Sequence, residues 1–256
     1  MEQFSPKIGF LPFIRSVIFY LFYPLFSIIF CTLTIPFVFY MPLEKRIKIL
    51  INWNKVIMWW LRVCCGVNYK VIGNLPEEKF VAVAKHQSQW ETYFLQLHLA
   101  PTSIVLKKEL LKLPFFGWGL SLEAPIAIDR SNPRAAIKDI MSQGLAYLSQ
   151  GLNVLIFPEG TRVAVGEKGR YARSGAEMAI KAGVPLVPIA HNSGEHWLNK
   201  HFVKLPGTIT VVIGDAINTE AHNNSKALCN QSEDWIEKTV SEISAGQYAE
   251  LNPKEY

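Results

Sequence analysis

Apolar positions follow two different rhythms along this chain, and the change of rhythm near residue 66 divides it. Before that point the apolar residues run almost unbroken. From Ser16 to Met41 no charged side chain occurs, a stretch longer than the roughly 20 apolar residues that a membrane-spanning helix needs. Two geometries fit: one tilted helix that crosses a bilayer, or a helical hairpin that breaks near Pro24 or Pro36 and returns. Lys7 and Arg15 precede the run, and Lys45, Arg46 and Lys48 follow it. Positive charge on both flanks favours cytoplasmic placement of both ends, hence the hairpin. A buried core hairpin of a soluble protein is the alternative. The run is too long for a secretory signal and lacks a small-residue cleavage site. Residues 47–63 then set Trp53, Trp59 and Trp60 among Ile and Leu, interspersed with Lys48, Lys55 and Arg62. That pattern suits an amphipathic helix in a lipid headgroup region, or an ordinary packing helix.

After Gly66 short β-branched runs alternate with helical patterns. Strands are predicted over 68–72, 80–84, 103–106, 124–128, 153–157, 186–190 and 208–213, with helices between. The alternation predicts an α/β fold, a mostly parallel sheet flanked by helices. Ser131-Asn132-Pro133 reads as a helix start, with Gly151 just past the end of that helix. Ser174-x-x-Glu177 reads as a capping box and Gly183 as a helix stop. A last helix is predicted over 226–244. With no internal repeat or linker, residues 66–256 read as one domain, preceded by a membrane-associated helical segment over 1–65.

Composition changes the picture little. Half of the residues are hydrophobic, and the formal net charge is +5, which suits an anionic lipid surface and would equally suit nucleic acid. No nucleic-acid motif accompanies the charge, so that partner is discounted. Cys31, Cys64, Cys65 and Cys229 form neither a disulfide framework nor a zinc spacing, which points to a reducing, cytoplasmic compartment. His191-x-x-x-Glu195-His196 does not put both histidines on one helical face, so no metal site is expected there.

The chemistry gathers where strands end. His86-Gln87-Ser88-Gln89-Trp90-Glu91 follows the apolar run Phe80-Val81-Ala82-Val83-Ala84 and precedes a helical pattern. A sharp strand-to-helix turn brings Glu91 back to one ring nitrogen of His86. The other nitrogen is then free to act as a general base. The competing reading makes Ser88-x-x-Glu91 a plain helix capping box. Lys107, Arg130 and the stretch Glu159-Gly160-Thr161-Arg162 also lie at strand ends, where open α/β sheets bind ligands. Arginine clusters favour phosphate, Gly160 allows close backbone approach, and Thr161 adds a hydroxyl donor.

With these residues in view the chain resembles the glycerolipid acyltransferases, specifically the 1-acylglycerol-3-phosphate acyltransferase branch. His86 to Glu91 matches the first block of that family, normally H-x4-D. Ile126-Ala127-Ile128-Asp129-Arg130 matches the second, Phe157-Pro158-Glu159-Gly160-Thr161-Arg162 the third, and Val184 to Ala190 the fourth. The resemblance spans about residues 66–214, and it departs from the family in having Glu91 where Asp is usual. It implies acyl transfer from acyl-CoA or acyl carrier protein to the hydroxyl of a lysophosphatidate, with no cofactor and no metal. His86 is implied as the base and Glu91 as its orienting acid. Lys107, Arg130, Glu159, Gly160, Thr161 and Arg162 are implied on the phosphate side, with Glu159 fixing the arginines. Membrane localisation is implied, with the catalytic domain on the cytoplasmic face, at the inner membrane if the source is bacterial. Other acceptors (another lysophospholipid, or glycerol phosphate), a non-catalytic lipid-binding protein and a lipid hydrolase are the rival readings.

Overall fold

The computed structural model describes residues 8–129, 131–220 and 224–246; Lys7 and Arg130 lie outside the described residues. The chain opens with three helices, α1 (Phe10–Val38), α2 (Leu43–Leu50) and α3 (Asn52–Cys65). There follow β1 (Val67–Ile72), β2 (Val81–Ala84), α4 (Trp90–His98), β3 (Thr102–Lys107), α5 (Phe116–Ser121) and β4 (Ile126–Ile128). The last part holds α6 (Pro133–Ser149), β5 (Asn153–Ile156), α7 (Ser174–Ala182), β6 (Leu186–His191), β7 (Gly207–Ile213) and α8 (Ser225–Ser244).

Seven strands form one sheet in the order β1-β7-β6-β2-β5-β3-β4. Strands β6, β2, β5, β3 and β4 run parallel to one another. The antiparallel β6–β7 pair reverses direction, and β1 follows β7. The expected mostly parallel α/β architecture is therefore present, and all seven predicted strands are found within a residue or two of their predicted bounds. The period-two pattern explains the layers. On β2, Val81 and Val83 face the cluster built with Ile140, Met178 and Ile236 of α6, α7 and α8. Ala82 and Ala84 face the opposite cluster, which includes Phe19, Ile57, Leu61 and Phe94 of α1, α3 and α4.

Four local expectations need correction. First, α1 runs unbroken through Pro24 and Pro36. Packing of its aromatic residues against α3 outweighs the cost of an interior proline, about 3 kcal/mol. Second, the turn falls at 39–42, after which the chain returns as α2 and α3. The return is antiparallel: Trp53 stacks on Phe26 with ring centroids 5.1 Å apart, Trp60 lies against Phe22, and Cys64 Sγ reaches the Arg15 carbonyl at 3.1 Å. Third, the single helix predicted over 47–63 is two, joined at Ile51. Fourth, Ser174 does not cap α7. Arg173 occupies the cap position without a side-chain bond, and Glu177 pairs with Lys181 at 2.7 Å instead. The other helix signals hold. Asn132 accepts from Ala135 N at 3.2 Å ahead of Pro133, and Gly183 closes α7 in the left-handed conformation.

Only one face of α1 is covered, at Ser16, Phe19, Ser27, Cys31 and Val38. Just 17% of its most apolar window is buried, which is unlike a core helix. Leu21 (69% exposed), Leu25, Leu33 and Phe37 form an open apolar stripe. Trp59 of α3 and Trp118 of α5 are exposed as well.

Candidate active site

The carboxyl end of β2 carries Lys85 and His86, and the turn into α4 brings Glu91 back beneath the ring. Glu91 is fully buried. Its Oε1 meets His86 Nδ1 at 2.9 Å and accepts from the backbone N–H groups of Gln87 (2.8 Å) and Ser88 (2.7 Å). Its Oε2 accepts from the hydroxyls of Ser88 and of Ser193 (2.7 Å for the latter). The capping contacts and the dyad are thus one construction, since the backbone donors that a capping glutamate satisfies also aim it at the histidine. Burial alone would raise the Glu91 pKa. The hydrogen bond from His86 and the positive field of His191 and His86 outweigh it, so the carboxyl is held well below the usual range. It is therefore ionised at neutral pH, and His86 Nδ1 carries the proton that it accepts.

His86 Nε2 has no hydrogen-bond partner among the described residues. The ring lies flat on Phe157, with centroids 4.1 Å apart and planes 15° apart. Phe157 directly follows β5, so two adjacent parallel strands fix the imidazole from both sides. His191 at the end of β6 has both ring nitrogens engaged. Its Nε2 bonds the Lys85 carbonyl at 2.8 Å and its Nδ1 receives Ser193 N at 3.3 Å. Burial lowers its pKa against the opposing pull of Glu91, and the two bonds make it a fixed strut. His196 packs elsewhere, against Gly207.

Glu159 sits behind the imidazole and does not line the cavity. One oxygen accepts from His86 N at 2.9 Å; the other accepts from Lys85 Nζ at 2.8 Å and Gly169 N at 3.0 Å. Lys85 is wholly buried and also bonds Glu237 of α8 at 2.8 Å and the Glu167 carbonyl at 3.0 Å. Tyr171 donates to the same Glu237 oxygen at 2.7 Å. This cluster ties together the ends of β2 and β5, the loop after β5 and the C-terminal helix. Val163 N adds a bond to the His86 carbonyl at 2.9 Å.

In front of the imidazole opens a cavity of about 500 Å³. Its rim includes Lys107, Thr161 and Arg162, together with Asn199 and Lys200. Asn199 Nδ2 bonds the Arg162 carbonyl at 3.2 Å, which fixes that loop. Lys107 lies 3.6 Å from Glu109 and is half exposed. Gly160 takes a left-handed φ of 66° in the turn between Glu159 and Thr161. The inner walls are apolar, formed by Phe30, Leu50, Trp53, Ile104, Leu106, Phe116 and Leu120 of α1, α2, α3, β3 and α5.

His86, Glu91, Lys107, Thr161 and Arg162 therefore share one end of the sheet. Glu159 supports them from behind, and Arg130 lies outside the described residues. Sequence reasoning missed Lys85, Ser193, Asn199, Lys200 and Glu237. Lys85 stands between the strand and His86 in the chain, but nothing local marks it as buried. Such an array can hold an anion at the rim, seat a long apolar chain inside, and deprotonate a hydroxyl between them.

Residues 66–192 match the Acyltransferase family. The chain is 44% identical over 246 residues to the 1-acyl-sn-glycerol-3-phosphate acyltransferase of Pseudomonas aeruginosa, covering 94% of this chain and 96% of that protein. It is 28% identical over 192 residues to the enzyme of the same name from Saccharomyces cerevisiae, covering 72% of this chain and 63% of that protein. Its fold matches the crystal structure of the 1-acyl-sn-glycerophosphate acyltransferase from Thermotoga maritima with a TM-score of 0.76 at 22% identity, over 91% of this chain and 95% of that one. By the family match and the 44% identity to the Pseudomonas aeruginosa protein, the chain belongs to the acyltransferase family, among the 1-acyl-sn-glycerol-3-phosphate acyltransferases.

Proposed function

We propose that this protein transfers a fatty acyl group from an acyl thioester to the free hydroxyl of 1-acylglycerol-3-phosphate, giving phosphatidate. The observation that carries the reading is His86. Its Nδ1 is held by an ionised, fully buried carboxylate, while its Nε2 opens onto an apolar cavity rimmed by cations. His86 Nε2 takes the acceptor's hydroxyl proton as the oxygen attacks the thioester carbonyl. The carbon–sulfur bond then breaks, and the departing sulfur receives the proton back from the imidazolium. Glu91 stabilises that imidazolium and fixes its orientation, the role an acid plays in a hydrolase triad. No side-chain nucleophile is needed, because the acceptor's own oxygen attacks.

Arg162, Thr161 and Lys107 bind the phosphate of the acceptor, with Lys200 beside them. The donor is acyl-CoA or acyl carrier protein, and no cofactor or metal takes part. The open stripe of α1 and the tryptophans Trp59 and Trp118 seat the protein in a bilayer, where both lipid substrate and product reside. Basic residues on both sides of α1 put the catalytic domain on the cytoplasmic face. The catalytic domain comprises residues 66–256, and residues 1–65 form the membrane-associated segment.

The test uses purified full-length protein with lysophosphatidate in mixed micelles. Thioester-dependent phosphatidate formation is expected in the wild type and its loss in His86→Ala. Equal rates in both proteins would refute the mechanism. Arg162→Ala is expected to raise KM for acceptors bearing a phosphomonoester and to leave uncharged acceptors unaffected.

A further inference from the structure

The cavity does not end as an alkyl chain requires. At its inner end Asn54 of α3, Gln96 of α4 and Glu123, which precedes β4, line the wall. All three are buried, with Glu123 only 8% exposed. Asn54 Nδ2 donates to Gln96 Oε1 at 3.2 Å, and Gln96 Nε2 donates to Glu123 Oε2. The Oε1 of Glu123 has no partner among the described residues, and the side chain faces the cavity. Burial pushes this carboxyl up to about 8. It is therefore mostly protonated at neutral pH and offers a donor as well as an acceptor. A saturated chain laid against it would leave a buried polar group unpaired, which is costly.

From these contacts we propose that the inner end of the cavity is a hydrogen-bonding subsite for a hydroxyl carried on a fatty acyl chain. A hydroxyl complements the floor because it donates once and accepts twice. The position of that hydroxyl follows from α4. Gln89, Tyr93 and Gln96 line the cavity in turn. At about 1.5 Å per residue, Gln96 lies roughly 10 Å beyond the His86 end. An extended chain advances about 1.2 Å per bond, so the hydroxyl falls eight or nine bonds from the reacting carbonyl, near the middle of an eighteen-carbon chain. Either the transferred chain or the chain already on the lysolipid could supply it.

This inference rests on the acyltransferase reading, and the experiment separates the two. Rates are measured with octadecanoyl-CoA and its 10-hydroxy counterpart on one lysophosphatidate. They are then measured with one plain donor on lysophosphatidates bearing the plain or the hydroxylated chain. About a tenfold or greater preference in kcat/KM for the hydroxylated compound is expected in one arm, together with its disappearance in Glu123→Leu. Gln96→Leu, which leaves the carboxyl in place but removes its donor, should reduce the preference if Glu123→Leu does not fold. Equal use in both arms, or a preference that survives both substitutions, overturns the subsite while leaving the acyltransferase intact. Absence of transfer with every donor overturns both.

Discussion

Replacing Glu91 by Gln isolates the charge of the proposed catalytic pair from its geometry. The donors around this side chain fall into two groups. Oε1 faces two backbone N–H groups and His86 Nδ1, none of which can turn around, whereas Oε2 faces only the hydroxyls of Ser88 and Ser193. A glutamine therefore keeps its carbonyl on the Oε1 side and points its amide at two hydroxyls, which rotate to accept. The shape, the tautomer and the orientation of His86 survive, and only the negative charge goes. With charge centres about 4 Å apart and an effective dielectric near 20, the lost attraction for the imidazolium is about 4 kcal/mol. That corresponds to roughly a thousandfold in rate. Full burial of Glu91 means that solvent does not screen the term. Steady-state kinetics should show kcat falling by about that factor, with KM for lysophosphatidate nearly unchanged and the unfolding midpoint close to wild type. A loss below tenfold, or a defect confined to KM, would refute the assignment of Glu91 as the stabiliser of a charged histidine.

Three further outcomes follow from the same contacts. Lys85→Met strips the cation from buried Glu159, so urea unfolding should show a loss of about 3–5 kcal/mol. Adding Glu159→Gln should restore part of that loss, and strict additivity of the two substitutions would contradict the cluster. Because the Glu123 carboxyl is raised to about 8 in the fold against 4.5 ordinarily, the folded state holds a proton there that the unfolded chain has released. Stability must then fall as pH rises from about 4.5 to about 8. Glu123→Gln is expected to be the more stable protein at pH 8 by a few kcal/mol, with the gap narrowing toward pH 5; a gap independent of pH would count against a raised carboxyl. Finally, Leu21→Glu with Leu25→Glu, both on the open stripe of α1, should release the protein from anionic vesicles in a flotation assay while leaving its circular dichroism unchanged. Undiminished flotation would rule out that stripe as the lipid contact.

What could be read in the sequence divides by distance along the chain. The strands were legible because each is a short apolar run closed by a polar or glycine signal, and burial on both faces of a parallel sheet demands such runs. His86 and Glu91 were legible because only five residues separate them and one turn can close the pair. Lys85 was not. Its carboxylates Glu159 and Glu237 lie 74 and 152 residues away, and nothing local distinguishes a buried lysine from a solvated one. Ser193 is likewise remote from Glu91, by 102 residues. The capping box at Ser174 failed for a different reason. Ser174 falls inside the first turn of α7, and Lys181 captured the glutamate at i,i+4, a competition that sequence spacing alone does not decide.

The position of Glu159 carries the widest consequence, because it joins two properties that sequence blocks present as separate. The histidine block and the block that begins at Phe157 meet through the backbone. Glu159 grips the N–H of His86, Val163 N grips its carbonyl, and Phe157 lies under its ring. A carboxylate so placed cannot bind phosphate, and in water it could not hold this geometry either. It does so because Lys85, from the strand that supplies His86, neutralises it in a site closed to solvent. The loop that follows carries Thr161 and Arg162 to the cavity rim. On the proposed mechanism, the element that orients the base also sets where the acceptor's head must sit. His86 and the cations of the rim are positioned from a single ionic joint. Weakening that joint, at Lys85 or at Glu237, should lower kcat and raise KM together, whereas substitutions at the rim should affect KM alone.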